Sequence, residues 1–367
     1  MKSNATSANL IIEAANVYLV TFRPDSGPAQ PITKRELIFV DVKNSDGITG
    51  TGFVSTIGTG GHSVLALIRH DLIGRVVGKD AGRIEAVWNE LYLSTFGTAR
   101  GVITGLALAA IDIALWDLKG KVLGLPLWQL AGGYRDRVPI YEPEVGWLDL
   151  PTDALVEGAI KTKADGWFGS KFKIGKPDAQ EDLERLMAVR QAVGPGFNLM
   201  IDANQTLTRT EAIRRAHVLE NVGLYWFEEP LPADDIAGHR ILGSSSSIPI
   251  AVGESVYSLA PYREYLESGA VGVLQPDVTR VGGITPWLKI AHLAEAFNVM
   301  VSPHVRTELS VSLAGAVPNG LAVENHSALR SVIKNGLKVV DGMAIAPSVP
   351  GVGIEWDDEA LKRMGIE

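Results

Sequence analysis

A chain of 367 residues with a net charge of −8 and no lysine/arginine run offers no electrostatic footprint for nucleic acid. With no cysteine it has neither disulfides nor thiolate metal sites, which fits a reducing, cytoplasmic setting. Its length exceeds one ordinary core, so a large domain with a smaller one is expected, and its apolar runs are too short to span a membrane.

The N-terminus carries no charged region leading into a long apolar stretch, so no signal peptide is expected. ANLIIEAANVYLVTF and ELIFVDVKNSDGITGTGFVS read as strands, with SDG turning a hairpin. PDSGPAQPITK between them is polar and rich in proline and glycine, hence a loop, and GTGGH at 58–62 is a second one without the spacing of a dinucleotide fingerprint. Helical segments follow: HSVLALIRHDLIGRVVG, AGRIEAVWNELYLST and the apolar GVITGLALAAIDIALWDLKGKVLG. This α+β portion ends near residue 133.

From there the texture becomes a repeat in which short apolar runs alternate with amphipathic helical stretches. GSKFKIG, FNLMIDAN, GLYWFEEP, IPIAVGES, VGVLQPDV and NVMVSPHV are each followed by a helix. At least six βα units in succession predict a parallel sheet, and the lack of a dinucleotide loop favours a (β/α)-barrel. The expected division is 1–133 cap, 134–336 barrel, and a tail at 337–367 returning to the cap.

Charged residues sit where each strand ends. Lys171 and Lys173, two apart on one strand, share a face opposite Phe172 and Ile174. That face is either a solvated edge or the inside of a barrel, where each ammonium makes the other easier to deprotonate. Asp202, Glu228, Glu254, Asp277 and His304 follow at intervals of 26, 26, 23 and 27 residues. One βα unit per interval places them all at the C-terminal mouth of the barrel, where barrel active sites form. Singly, Asp202 and Asp277 also read as helix caps and His304 as scaffold. A ring of such residues at even steps points instead to a site. Three carboxylates without Cys or His suit a hard cation, Mg²⁺. Asp277 and His304, on adjacent strands, form a pair in which the carboxylate orients the imidazole. A cation with bases on two sides suits removal of the α-proton of a small-molecule carboxylate, giving an enediolate.

The ordered set KFK, IDANQ, WFEEP, VGES, QPDxxRVGGIT, SPH and VEN, with the terminal PGVGIEW, resembles the enolase superfamily and its mandelate racemase subgroup over nearly the whole chain. The resemblance implies an α/β fold: an enolase-type (β/α)-barrel with an α+β capping domain built from the N-terminal part and the C-terminal tail. It also implies homo-oligomers. By resemblance, Asp202, Glu228 and Glu254 bind Mg²⁺, Lys173 is a base on one side, and Lys171 neutralises the substrate carboxylate. His304 with Asp277 serves the other side, and Glu324 hydrogen-bonds the enediolate oxygen. Asn204 and Glu308 are supporting polar positions. The chain departs from mandelate racemase in having a polar segment, TFRPDSGPAQPITKR, where that enzyme has an apolar lid. It also has Arg280 in place of a lysine, as in galactarate- and talarate-type dehydratases. Arg23, His62 and Arg306 are further expected contacts for a polyhydroxylated substrate. GTGFVSTIGTGGHS through VGKD also looks like the anhydro-sugar-acid cycloisomerases. The implied reaction is dehydration of an acid sugar to a 2-keto-3-deoxy acid. Racemisation or epimerisation of a 2-hydroxy acid and cycloisomerisation remain as alternatives. So do a non-catalytic scaffold and a phosphate site at Val281-Gly282-Gly283, against which Thr285-Pro286 reads as helix N-cap and first turn.

Overall fold

The computed structural model describes residues 9–22, 34–97 and 101–367. The cap opens with an antiparallel meander of β1 (Ile12–Phe22), β2 (Arg35–Asn44) and β3 (Thr49–Ile57). Alternation divides its side chains between two layers. Ile38, Val40 and Val54 join the core of the cap itself, whereas Leu37, Phe39 and Phe53 join the core that runs into the barrel. On the first face lies the 22-residue helix Val102–Leu123, apolar on nearly every side because it is buried on nearly every side. Gly50 and Gly52 permit that contact: a Cβ at Gly52 would sit 2.0 Å from the carbonyl oxygen of Ala110.

The barrel strands are β4 (Arg137–Glu142), β5 (Gly169–Lys173), β6 (Asn198–Asp202), β7 (Leu224–Glu228), β8 (Ile250–Val252), β9 (Val273–Leu274), β10 (Met300–Val301) and β11 (Val323–Glu324). They pair in parallel in that order from β4 to β10. The ring closes where β11 pairs with β4 and Val301 bridges to Gly320. Eight strands joined by helices make the (β/α)-barrel. Register decides which side chains face inward. Lys171 lies beside Met200, and Lys173 beside Asp202, which lies beside Glu228. Met200, Trp226, Tyr141, Ala251 and Val273 fill the interior below, while Phe172, Ile201 and Phe227 pack outward.

The tail does more than return to the cap. β12 (Lys338–Val340) and β13 (Met343–Ile345) form a hairpin whose second strand pairs antiparallel with β4. Only then does the chain reach the meander: Trp356 meets Phe39 and Phe53 edge-on at 4.7 and 4.9 Å, and Glu367 exchanges two backbone hydrogen bonds with Leu19. Such aromatic pairs add about 0.5–1.5 kcal/mol each beyond burial. Among the described residues no helix is long and apolar enough to cross a membrane.

Cap and barrel are also locked through Asp112. The helix Ile284–Ala296 starts one residue before Thr285, with Gly283 in the cap position, so Thr285-Pro286 falls inside its first turn rather than capping it. The cap comes from the other domain: Asp112 Oδ2 accepts from Thr285 N at 2.9 Å, and Trp116 Nε1 donates to Thr285 Oγ1 at 2.9 Å. With a carboxylate in that place and Gly283 pressed against it, no phosphate fits at Val281-Gly282-Gly283. Asp112→Ala is expected to cost about 2 kcal/mol by denaturant titration, the worth of a buried cap. Burial raises the Asp112 carboxyl to about 7. Its protonated form is therefore favoured by folding, and the stability this confers is full below the unfolded carboxyl value and fades as pH climbs toward about 7. Wild type is thus expected to lose stability relative to Asp112→Asn between pH 4 and 7, which parallel melts would read.

Candidate active site

Three buried carboxylates from consecutive strands define the centre. Asp202 closes β6, Glu228 closes β7, and Glu254 stands two residues beyond β8; one oxygen from each lies within 4.8 Å of the others. None acts as a helix cap. Thr208 caps the helix after Asp202, and Asp277 Oδ1 instead accepts from Thr279 N and Oγ1 at 2.8 and 2.6 Å. Glu228 Oε2 is fixed by Gln275 Nε2 at 2.7 Å and Trp226 Nε1 at 3.1 Å. Asp202 Oδ1 accepts from Asn204 N at 2.8 Å, and Asn204 holds a positive φ of 42° to make that bond.

Lysines stand on one side. Lys171 Nζ lies 2.6 Å from Glu228, 2.8 Å from Glu324 and 3.6 Å from Asp202, and Lys173 Nζ bonds Asp202. The inside-facing alternative for this pair is the one found. The expected mutual depression of their basicity is not: burial lowers both, but Glu228 and Glu324 around Lys171 and Asp202 beside Lys173 outweigh it, and both are raised.

His304 stands opposite. Its Nδ1 lies 3.0 Å from Asp277 Oδ2 and its Nε2 3.2 Å from Glu254 Oε2. Burial lowers the imidazole despite Asp277, while Asp277 is held well below the carboxylate range, its own burial outweighed by the His304 hydrogen bond and Arg280. Glu324 Oε2 accepts from Val305 N at 3.1 Å, and Lys171 overcomes burial to keep it ionised.

The charge balance here is negative. Burial pushes Glu254 well above its usual range, with Glu229 and Asp202 adding to it, and raises Glu228 to about 7 against the pull of Lys171. Carboxylates that resist ionisation this way lack positive charge. An all-oxygen set around one point fits a hard divalent cation such as Mg²⁺.

The remaining expected residues scatter. Arg280 belongs to the site but is occupied by Asp277 at 3.5 Å, the Glu254 carboxylate at 3.6 Å and the Glu254 carbonyl at 2.8 Å, so it steadies acids rather than reaching for substrate. Arg306 is buried over the mouth and bonds Ser55 of the cap. Glu308 turns away: it lines a cavity of about 330 Å³ with Trp128, Asp136 and Lys338. Two consecutive positive φ values, at Val305 and Arg306, redirect the chain before it. His62 is also misplaced by the sequence reading, being an exposed group on the helix Gly61–Leu67 that faces Glu367 at 3.8 Å. Arg23 and the loop at 23–33 lie outside the described residues. Gln275 and Trp226 were missed, although QPD and WFEEP contain them. Gln205 links Glu229 to Ser255 beneath the carboxylates.

A capped eight-stranded barrel with acids, two lysines and a His–Asp pair at its mouth defines an enolase-type protein. The chain belongs to the mandelate racemase / muconate lactonizing enzyme family: residues 14–132 match its N-terminal domain, and residues 154–360 match the enolase C-terminal domain-like family. It is 37% identical to the 3,6-anhydro-alpha-L-galactonate cycloisomerase of Streptomyces coelicolor over 90% of this chain and 92% of that one. It is 34% identical to the L-talarate/galactarate dehydratase of Salmonella typhimurium over 92% of this chain and 84% of that one. A crystal structure of the latter, liganded with Mg and L-lyxarohydroxamate, superposes with a TM-score of 0.91 at 32% identity, covering 99% of this chain and 95% of that one.

Proposed function

We propose that the protein is a Mg²⁺-dependent acid-sugar dehydratase, converting its substrate to a 2-keto-3-deoxy acid. One observation carries this: proton-handling groups flank the carboxylate cluster from opposite sides, Lys173 on one and the His304–Asp277 pair on the other. Asp202, Glu228 and Glu254 would hold the cation. When bound, it supplies the positive charge that makes a substrate's α-proton acidic.

The protein's own groups do the rest. Lys171 neutralises the substrate carboxylate. His304, neutral through burial and oriented by Asp277, accepts the α-proton, breaking the C–H bond. Lys173 enters as an ammonium and gives its proton to the departing β-hydroxyl, which leaves as water as the C–O bond breaks. The resulting enol tautomerises to the 2-keto acid. Glu324 is kept ionised by Lys171. A substrate anion that takes over Lys171 releases that hold and lets Glu324 take up the proton it needs to donate a hydrogen bond.

The same reading divides the chain into 1–133, 134–336 and 337–367 and takes it as a cytoplasmic homo-oligomer. The absence of cysteine and the exposed Leu93 and Phe96 of the cap support those two assignments. Cycloisomerisation is the second reading, favoured by the 37% identity to the S. coelicolor enzyme.

Proton NMR in D₂O with Mg²⁺ and a panel of acid sugars tests the proposal. Keto product with loss of the α-proton signal is expected. Isotope exchange without dehydration would indicate a racemase or epimerase, and a rearranged isomer a cycloisomerase.

A further inference from the structure

Resting on the dehydratase reading, the inference concerns the far end of the substrate. The barrel-facing side of the meander carries Arg35, Leu37 and Phe39 on β2 and Phe53 and Ser55 on β3. Arg306 rises from the barrel beyond β10 and donates to Ser55 Oγ across the gap between the domains. It is only 6% exposed, and it is held there by a strained backbone, with φ of 49° following 40° at Val305. Nε of Arg306 and Nε of Arg35 are both buried without a hydrogen-bond partner. Among the described residues, neither guanidinium has a carboxylate within ion-pair distance.

Two of the acids facing them are already engaged, and the third, Glu308, keeps a buried Oε2 without a hydrogen-bond partner but lies beyond ion-pair distance. Asp277 is bound by His304, Thr279 and Arg280, and Glu144 accepts from Ser327. Glu308 faces the cavity beside Trp128. With Arg306 buried and Arg35 half-buried, two such cations without a counter-ion in ion-pair distance are unfavourable unless an anion joins them. Guanidinium forks suit a planar carboxylate, which they bind through paired hydrogen bonds.

We propose that Arg35 and Arg306 form a second anion subsite, and that the substrate is a sugar dicarboxylate whose reacting end lies at the Lys171–Asp202 cluster and whose far carboxylate lies between these arginines. Monocarboxylic sugar acids, ending in a hydroxymethyl group, leave the pair unsatisfied.

The test uses matched probes. Galactarate and galactonate share their stereocentres and differ only in carboxylate against hydroxymethyl at C6, as do glucarate and gluconate. Wild-type enzyme with Mg²⁺ is expected to prefer the diacid of the active pair by about 100-fold in kcat/KM, the scale of a lost charge-assisted pair. Arg35→Gln and Arg306→Gln should each shrink that ratio about tenfold or more, chiefly through KM, with Arg35→Lys recovering part of it. Should the variants not fold, the wild-type ratio decides alone, and calorimetric binding of the same pairs decides where nothing turns over. Turnover of monoacids as good as that of diacids overturns the subsite and leaves the dehydratase standing. Diacid-selective binding with no proton exchange does the reverse. Equal binding with no turnover ends both.

Discussion

His304→Asn is expected to abolish both α-proton exchange and dehydration, lowering kcat by about 10³-fold or more, because the residue that takes the proton is gone. Lys173→Met is expected to lower dehydration as severely but to keep exchange, because His304 still removes the proton and only the leaving hydroxyl lacks its acid. The two variants together separate chemistries that share the same first step. In a racemase or epimerase, each variant would lose exchange of one C2 configuration and keep the other, since each base serves one face. The same measurement tests the direction assigned here. If Lys173→Met loses exchange and His304→Asn keeps it, the acid and base are interchanged while the site stands. The assignment follows from the surroundings: burial holds His304 neutral, whereas Asp202 holds Lys173 charged. A parallel melt of Lys173→Met guards against a trivial loss, because that substitution removes a cation from an acidic cluster.

What was legible in the sequence was whatever repeats at short period. Alternation on β5 and the steps between Asp202, Glu228, Glu254, Asp277 and His304 are direct projections of barrel geometry onto the chain. They carried both the fold and the core of the site. β4 escaped because RVPIYE holds a proline, whereas β9 and β10, only two residues long, were legible through their place in the βα repeat, in VGVLQPDV and NVMVSPHV. Side-chain direction at loop and helix starts escaped for another reason. Whether Glu308 points to the mouth or away depends on the φ values of Val305 and Arg306, and nothing in SPHVRTE announces two positive φ values on branched or bulky residues. His62 was expected as a polar partner for a polyhydroxylated substrate, but it stands exposed on the helix Gly61–Leu67. Asp112 and Arg35 act across the domain junction, a relation that no local window contains. The mutual effect of the lysines was misjudged because their nearest charges, Glu228, Glu324 and Asp202, come from other strands.

The carboxylate cluster gives the second large effect, and it separates function from stability. Glu254→Gln removes one charge from three oxygens crowded within 4.8 Å and leaves a side chain of nearly the same shape. In cation-free protein that substitution is expected to be neutral or stabilising at pH 7. Burial, Glu229 and Asp202 raise the Glu254 pKa well above its ordinary value, so ionising the residue opposes folding once pH exceeds the unfolded carboxyl value. The advantage of the variant should vanish near pH 4, where both states bind the proton. Mg²⁺ should reverse the order. A cation that binds only the folded wild type adds RT ln(1 + [Mg²⁺]/Kd), about 2.7 kcal/mol at a hundredfold excess over Kd. Glu254→Gln should show little of that gain and no measurable dehydration. Wild type treated with chelator should behave like the variant and recover on addition of Mg²⁺. Melting both proteins with and without the ion at pH 4 and 7 reads every term. A variant that kept its full Mg²⁺-induced shift would remove Glu254 from the ligand set, and the triad would then need another oxygen, with Glu229 next in line beneath it.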